Sequence, residues 1–370
     1  MKVGLIGTGF GTRVHMPAMR ADEHIEVVAI CSAQKARAEA AAKEWNIGFA
    51  TDDYRELIAR DDVELVNVCT PPDSHAEMTI AALEAGKHVV CEKPLAMDLG
   101  EASAMAAAAD AARAKRPELV DAVHHEMRYL PARRLLRDFV QSGFIGELRY
   151  VIQTVAVDYG VNPGMEPYWY TWVARKEQGG GFLTGMFSHE IDLMRYTVGN
   201  LHEVYGTVSI AVPEKPVLAF EYRDGDHIGP DSPTNGTQPA TADDGTVITG
   251  RLDNGAPFVL TGTWAVYAGS GNRIEVYGSE GTVAVHSGVV SAAQKGEALS
   301  ERTLPADYAL DTSIGEGMVP ASAKLFEDVA AVVDGRRAAS EARFARIADA
   351  VRVQEVMDAA RVDGERVIGR

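Results

Sequence analysis

Cysteine is scarce in this sequence, and its placement narrows the class of protein. Only three of the 370 residues are cysteines, namely Cys31, Cys69 and Cys91. Thiols without paired spacing give neither a disulfide framework nor a set of metal ligands. Each falls near the end of a predicted strand, so we expect buried, reduced thiols and a reducing compartment, the cytoplasm.

Positive charge and long apolar runs are scarce as well. Lys and Arg number 36 against 53 Asp and Glu, which gives a formal net charge of -17. Nucleic acids and anionic membranes bind basic surfaces, so we expect neither as a partner. No apolar stretch has the length of a transmembrane helix, and the chain enters a strand at once without the segments of a secretory leader.

The first third of the chain has a regular plan. Short apolar runs alternate with amphipathic helical stretches from Val3 to Val123. Apolar strands that alternate with helices predict a parallel sheet covered on both faces. We therefore predict an α/β protein whose residues 1–124 form a Rossmann-like dinucleotide-binding domain.

The first strand ends at a glycine-rich turn that opens a helix. Gly7 and Gly9 occupy the first two positions of the dinucleotide fingerprint, and the third position holds Thr12, with Gly11 just before it. Glycines permit a tight turn and a close approach of the backbone to a pyrophosphate, which then binds at the helix N-terminus. This turn predicts a dinucleotide site.

The end of the second strand bears on the choice between NAD and NADP. Domains that bind NAD place an Asp or Glu there for the ribose 2′-hydroxyl. Ser32 stands at this position, and Lys35 and Arg37 follow it. Because a 2′-phosphate is attracted by cations, the sequence favours NADP. The alternative is that both cations belong only to the solvated face of a helix.

Two later strands end in prolines. Thr70-Pro71-Pro72 follows one strand, and His75 on the next helical turn either contacts the nicotinamide or only packs. The strand His88–Cys91 runs into Glu92-Lys93-Pro94. Proline cannot continue a strand, so Lys93 is expected at the carboxyl tip, where open parallel sheets bind ligands. The alternative is a surface turn, and Lys93-Pro94 is a candidate cis peptide.

Beyond Val123 the strands become longer and partly alternating. We predict that residues 125–370 form a second, α+β domain with an open, mostly antiparallel sheet. The Gly- and Pro-rich stretch Asp224–Asp244 is predicted to be a long mobile loop. The predicted elements include strands at Glu203–Val212, Leu218–Tyr222, Thr246–Leu252, Phe258–Trp264, Arg273–Tyr277 and Thr282–His286, and closing helices at about Ala321–Asp334 and Arg343–Asp363.

A second segment that carries candidate functional residues runs from Gln178 to Asp192. A glycine turn precedes a predicted helix that carries His189 and Asp192 on neighbouring positions of one face. His189 is a candidate general base, although a single histidine is often structural, and no paired ligand spacing indicates a metal. The preceding aromatic residues provide either an apolar face for a sugar ring or part of the core: Tyr168, Trp169, Tyr170 and Trp172.

Together these motifs resemble the Gfo/Idh/MocA family, named for glucose–fructose oxidoreductase, inositol dehydrogenase and rhizopine catabolism. The marks of the resemblance are Gly7–Thr12 with His15-Met16-Pro17, Thr70–Pro72 with His75, Glu92–Pro94, Arg128–Pro131, Gly179–Asp192 and Glu275–Gly281. The resemblance implies a C-terminal sheet that joins subunits into a homodimer or homotetramer. It also implies hydride transfer between NAD(P) and a hydroxyl or ketone of a sugar, polyol or inositol.

The resemblance implies roles for individual residues. Lys93 and His189 correspond to the catalytic residues of the family. Residues implied in binding the carbohydrate-like substrate are Arg128, Tyr129, Trp169, Tyr170 and Asp192. Residues implied in binding the cofactor are Gly7, Thr8, Gly9, Phe10, Gly11, Thr12, Ser32, Arg37, Thr70, Pro71, His75, Glu92 and Lys93.

One position departs from the family pattern. Many family dehydrogenases carry an aspartate four residues before the histidine, where this chain has Gly185. Either Lys93 carries more of the proton transfer, or another acid substitutes, or the reaction is not a simple dehydrogenation. Two rival functions follow: elimination or hydrolysis of a glycosidic bond through transient oxidation, and non-catalytic sensing of a dinucleotide for a protein partner.

Overall fold

A computed structural model describes residues 1–222, 226–361 and 365–367. The helices are α1 (Met16–Arg20), α2 (Lys35–Trp45), α3 (Tyr54–Ile58), α4 (His75–Glu84), α5 (Leu99–Lys115), α6 (Pro131–Gln141), α7 (Ser188–Val198), α8 (Val319–Val333) and α9 (Ile347–Ala360). The first strands are β1 (Lys2–Ile6), β2 (Glu26–Cys31), β3 (Phe49–Thr51), β4 (Leu65–Val68), β5 (His88–Cys91), β6 (Asp121–Val123), β7 (Leu148–Ala156), β8 (Leu201–Ser209) and β9 (Glu214–Leu218). The remaining strands are β10 (Thr234–Pro239), β11 (Gly245–Leu252), β12 (Pro257–Thr263), β13 (Gly271–Gly278), β14 (Gly281–His286), β15 (Val289–Gln294), β16 (Ser300–Glu301), β17 (Ala345–Arg346) and β18 (Glu365–Val367).

The chain divides into two compact units. The first contains Met1–Tyr129 and Leu310–Gln354, and the second contains Leu130–Tyr222, Asp226–Ala309 and the described residues from Glu355 onward. The first unit thus includes α8 and most of α9, which the sequence analysis placed with the second domain.

The first unit contains the predicted parallel sheet. Its strand order is β17-β6-β5-β4-β1-β2-β3, and all pairs are parallel except β17 with β6. Every residue of β4 and β5 is buried, as expected for strands covered on both faces. The carboxyl ends of the parallel strands meet at one edge, where the predicted cofactor residues follow β1, β2, β4 and β5.

The predicted helix Arg343–Asp363 is wrong at its start. Ala345 and Arg346 extend the sheet beside β6, and the helix begins only at Ile347. Arg346 Nη1 donates to the buried carboxylate of Asp121 at 2.7 Å, so the ion pair holds this segment against β6. The later part of the predicted range includes residues outside those described.

The second unit contains a nine-stranded sheet in the order β16-β15-β14-β13-β7-β12-β11-β8-β18. The pair β7–β12 is parallel and the other pairs are antiparallel, which confirms the mostly antiparallel prediction. From Val151 onward, β7 alternates between buried and half-buried positions, as expected for a sheet with one packed face. The helix α6 packs against β14 and β15.

Two predictions for residues 213–244 are wrong. The strand expected at Leu218–Tyr222 ends at Leu218 instead, since β9 covers Glu214–Leu218. The stretch Asp224–Asp244 is not a structureless loop, because β10 pairs with β9 in a separate two-stranded sheet. Residues 224 and 225 lie outside the described part of the chain.

Among the described helices, none combines the length and apolar character needed to cross a bilayer.

Candidate active site

The glycine turn after β1 is fixed by its closeness to the end of β4. Gly7 has φ +114, and a Cβ on it would lie 1.9 Å from the carbonyl oxygen of Cys69. Only glycine fits this approach and this backbone conformation. The turn continues into a π-helical segment, Gly11–His15, where Thr12 Oγ1 donates to the carbonyl of Thr8 at 2.8 Å. The bare backbone of the turn at the sheet edge fits the pyrophosphate of a dinucleotide.

The end of β2 presents a hydroxyl rather than a carboxylate. Thr8 Oγ1 donates to Ser32 Oγ at 3.0 Å, which ties the glycine turn to this strand end. Arg37 is half-buried on α2. Carboxylates also approach this edge: burial first, and then the charges of Asp53, Asp52 and Glu56, raise the pKa of the Cys31 thiol to about 12. The electrostatics near a ribose 2′-position are therefore mixed.

His75 is a structural bridge between two strand-end loops. It is fully buried, with Nδ1 2.9 Å from the carbonyl of Pro94 and Nε2 2.8 Å from the carbonyl of Thr70. Burial alone would lower the pKa of His75, but Cys91 and the two carbonyls raise it to about 9. Of the two interpretations of His75, the structure supports packing, because both ring nitrogens are already engaged.

Lys93 follows β5 in a turn that is held by its neighbour. The Lys93-Pro94 peptide is cis, as anticipated, and Lys93 is half-buried. Its backbone N–H donates to Glu92 Oε2 at 2.9 Å. Glu92 therefore orients the backbone that carries the candidate catalytic lysine.

The other carboxylate oxygen of Glu92, Oε1, lies close to two histidines for which the sequence predicted no role. His15 Nε2 lies 2.9 Å and His124 Nδ1 2.8 Å from Oε1. Burial would raise the pKa of Glu92, but His124 and His15 lower it well below its usual range. Two features of the sequence could have indicated this cluster. One is the position of His15 just after the glycine turn, and the other is the His124-His125 pair at a strand end.

Arg128 and Tyr129 serve the first unit internally. Tyr129 donates its hydroxyl to Asp328 Oδ2 at 2.6 Å, and Arg128 Nη1 donates to the carbonyl of Arg343 at 3.2 Å. Both side chains are buried. These contacts join the 3-10 turn after β6 to the α8 region. That Arg128 and Tyr129 bind substrate stays a prediction.

In the second unit, the segment before His189 is a π-helical turn, Leu183–Phe187, that leads into α7. Leu183 donates its N–H to Asp243 Oδ2 at 2.7 Å, so a residue from another loop holds the start of this turn. His189 and Asp192 are both buried on α7. Interruptions of this kind in helices are frequent at functional sites.

Glu190, next to His189, is a fully buried carboxylate that sequence reasoning also missed. Arg133 Nη2 lies 3.2 Å from its Oε2, and the side-chain amides of Gln153 and Asn272 donate to it as well. Its partners come from α6, β7 and β13. Glu190 therefore connects α7 to the sheet. The spacing of residues in the sequence does not predict these contacts.

The aromatic residues divide between core and surface. Trp169 is only 2% exposed, packs with Leu218 and Ile228, and donates Nε1–H to the carbonyl of Pro163 at 2.9 Å. Tyr170 is half-buried and has the Arg175 guanidinium 5.9 Å from its ring centroid. Trp169 thus belongs to the core, and Tyr170 has the more accessible ring.

Comparison with known proteins gives the family. Residues 1–115 match the model of an oxidoreductase family with an NAD-binding Rossmann fold. Residues 134–284 match the GFO/IDH/MocA C-terminal domain. The chain belongs to the Gfo/Idh/MocA family of oxidoreductases.

Two of the relatives are dehydrogenases named for levoglucosan and for myo-inositol. Levoglucosan dehydrogenase of Pseudarthrobacter phenanthrenivorans is 32% identical over 294 residues, which cover 76% of this chain and 73% of the relative. Myo-inositol 2-dehydrogenase of Thermotoga maritima is 26% identical over 284 residues, covering 76% and 74%. A solved levoglucosan dehydrogenase in complex with NADH and levoglucosan matches with TM-score 0.80 and 26% identity, covering 97% of this chain and 96% of that one. As a member of this family, the protein is a nicotinamide-dependent oxidoreductase.

Proposed function

We propose that this protein transfers a hydride between a nicotinamide cofactor and a ring hydroxyl or ketone of a cyclic sugar or polyol, with Lys93 as the acid/base. The observation that supports this most is the fixed turn after β5, where Glu92 Oε2 accepts the Lys93 N–H at 2.9 Å. A proton acceptor must be held in register with the hydroxyl it serves. Relatives named for levoglucosan and inositol support the substrate class.

The cofactor supplies the hydride acceptor or donor when it is bound. Residues proposed to hold it lie at the carboxyl edge of the first unit's sheet. Gly7–Thr12 would hold the pyrophosphate on bare backbone, Ser32 would bind the adenosine ribose, and the loops after β4 and β5 would bind the nicotinamide.

His189 is proposed to orient the substrate hydroxyl, with Asp192 beside it on α7. The family's aspartate is replaced at Gly185, where a Cβ would be 3.7 Å from the Trp264 indole. Gly185 itself offers no carboxyl group at this position. We therefore assign most of the proton transfer to Lys93.

A panel of sugars, sugar acids and inositols with both cofactors, followed by absorbance of the reduced cofactor, tests the reaction. Lys93→Ala is expected to lower kcat by roughly a thousandfold while the dissociation constant of the dinucleotide changes little. The exposed Lys115, on α5, provides the matched control Lys115→Ala, which should keep wild-type turnover. Wild-type turnover in Lys93→Ala would contradict the assignment.

We propose that the cofactor is NADP rather than NAD. Ser32 in place of an acid supports this, as do Lys35 and Arg37 on the helix that follows, whereas Asp52 and Asp53 act in the opposite direction. Dissociation constants measured by fluorescence quenching decide the matter, and a tenfold preference for NAD, about 1.4 kcal/mol, would contradict it. Ser32→Asp should shift the preference toward NAD by about tenfold or more.

The sheet of the second unit is proposed to join subunits into a homodimer or homotetramer. Its strand β11 exposes Val247 beside threonines such as Thr154 and Thr261. Light scattering of the purified protein measures the mass, and Val247→Lys is expected to lower it if this face is the interface. The cytoplasmic location stays a prediction; the three cysteines are buried and free of disulfides.

A further inference from the structure

A buried cluster of three side chains underlies the turn that carries Lys93. His15, Glu92 and His124 come from the segment after the glycine turn, the end of β5 and the end of β6. His15 and His124 have no solvent exposure, and Glu92 is 6% exposed. The two imidazole rings lie with their centroids 4.1 Å apart and their planes tilted by 34°, and the ring of Phe326 of α8 contacts both.

The two oxygens of Glu92 have different partners. Oε2 accepts the N–H of Lys93 at 2.9 Å. Oε1 lies 2.9 Å from His15 Nε2 and 2.8 Å from His124 Nδ1. A carboxylate that is hydrogen-bonded to His15 and lies within ion-pair distance of His124 on one side therefore accepts the backbone N–H of the candidate catalytic residue on the other.

The surroundings of the two histidines favour different proton states. His15 Nδ1 lies 2.9 Å from Asn67 Nδ2 and 3.2 Å from Asn67 Oδ1. Burial and then the charge of His124 lower the pKa of His15, which favours a neutral ring with its Nε2 proton directed at Glu92. His124 Nδ1 lies between Glu92 and Glu126, whose Oε2 is 3.3 Å away. A ring nitrogen between two buried carboxylates stabilises the imidazolium form.

We propose that His15, Glu92 and His124 form a buried positioning unit that fixes the Lys93 turn, and that it does so only while His124 carries a proton. This inference rests on the proposed function for the role of Lys93, but the cluster itself does not. Loss of the His124 proton leaves a buried carboxylate with one neutral donor, and such an anion is costly to bury. The turn held through Oε2 then loosens.

The direction of the proton linkage follows from the surroundings of His124. Burial lowers its pKa, but Glu92 and Glu126 raise it to about 9. His15 is neutral, since burial and then the charge of His124 lower its pKa. Cys69 Sγ lies 3.9 Å from His15 Nε2, and α8 contributes the uncharged Phe326. The stabilisation is thus complete below the ordinary histidine pKa of about 6.5 and disappears as pH rises through about 9.

Histidine NMR on the purified protein tests the cluster without any substrate. Imidazole nitrogen shifts are recorded against pH in the wild type and in Glu92→Gln, and single His→Asn variants assign the signals. We expect His124 to stay protonated to about pH 9 in the wild type and to become neutral at least two pH units lower in Glu92→Gln, because burial then dominates. A His124 that titrates at its ordinary value in the wild type would overturn the proposal, as would a stoichiometric metal ion bound in place of the proton.

The pH profile of turnover tests the link to Lys93. In the wild type kcat should fall on the alkaline side with a midpoint near that of His124, whereas KM should change little. His124→Asn should lower kcat by about tenfold to a hundredfold and remove the alkaline limb, because misplacement of a reacting group acts on kcat. An unchanged alkaline limb in a folded His124→Asn would overturn the positioning role.

His88 provides the matched control, since it is a buried histidine at the opposite end of β5. The His88→Gln variant should keep the wild-type kcat and the decrease of kcat on the alkaline side. If His124→Asn does not fold, the wild-type and Glu92→Gln titrations still decide the proposal. The two proposals can fail separately. If the cluster titrates as expected but the Lys93→Ala variant remains active, the proposed function is refuted and the proton-held cluster is not.

Discussion

The indole of Trp264 lies beside Gly185, and a Cβ on that glycine would stand 3.7 Å from Cζ3. This distance is ordinary van der Waals contact, so an alanine fits. Trp264 is itself buried and packs edge-on against Phe182 with ring centroids 5.5 Å apart. The position where many family members carry an aspartate thus adjoins an aromatic ring in this chain.

We therefore expect Gly185→Asp to be poorly tolerated. A carboxylate placed against the indole loses hydration, which should lower the free energy of unfolding by about 1–3 kcal/mol. Gly185→Ala is the matched control and should unfold within about 1 kcal/mol of the wild type. Urea unfolding followed by circular dichroism measures both, and equal stability of the two variants would show that an acid is accommodated.

Gly7 should be irreplaceable for a reason that does not apply to Gly86. Both have positive φ, but a Cβ on Gly7 would lie 1.9 Å from the Cys69 carbonyl, whereas nothing lies within 4 Å of one on Gly86. Gly7→Ala should cost about 3–5 kcal/mol and abolish dinucleotide binding, and Gly86→Ala should cost only about 1–2 kcal/mol. Unfolding curves measure the stability of both variants, and cofactor titration measures their dinucleotide binding. Equal stability and equal binding in the two variants would contradict this prediction.

The buried pair of Arg133 and Glu190 should behave differently from a surface pair. Glu190→Ala leaves a buried guanidinium without its carboxylate, so we expect a loss of about 3–5 kcal/mol in the free energy of unfolding. The control is the surface pair of the exposed Arg251 and the half-buried Glu203, 3.7 Å apart, and Glu203→Ala should cost less than about 1 kcal/mol. Arg133→Met combined with Glu190→Met should recover part of the loss, and a double variant as unstable as Glu190→Ala would argue against the charge explanation.

His88 should make the stability of the protein depend on pH in the acidic range. Burial and then the nearby Arg116 lower its pKa to about 4, and its Nδ1 accepts the N–H of Val120 at 2.9 Å. The neutral ring therefore stabilises the fold above pH 6.5, and this contribution is lost as pH falls toward about 4. The difference in unfolding free energy between wild type and His88→Gln should change by about 3 kcal/mol from pH 7 to pH 4. A constant difference over that range would contradict the assignment.

Local patterns predicted the first unit well because its elements depend on nearby residues. The apolar runs of β4 and β5 are buried on both faces, and the prolines after them end the strands. The fold class and the family were therefore accessible from the sequence, whereas the isomer of the candidate cis peptide Lys93-Pro94 was decided by the structure. The strand at Ala345–Arg346 was not, because it depends on an ion pair between Arg346 and Asp121, which are 225 positions apart.

The sequence by itself determined the Rossmann alternation, the glycine turn and the Glu92-Lys93-Pro94 tip, since turn chemistry and hydrophobic periodicity are local properties. Only the tertiary structure decided what Glu92 does. Its histidine partners lie 77 residues before it and 32 residues after it, and their contacts arise from the convergence of strand ends at one edge of a parallel sheet. The tertiary structure also decided the contacts of His75, Tyr129 and Trp169, whose side chains are buried and hydrogen-bonded within the protein. Burial and long-range hydrogen bonds depend on the folded chain, so sequence spacing does not reveal them.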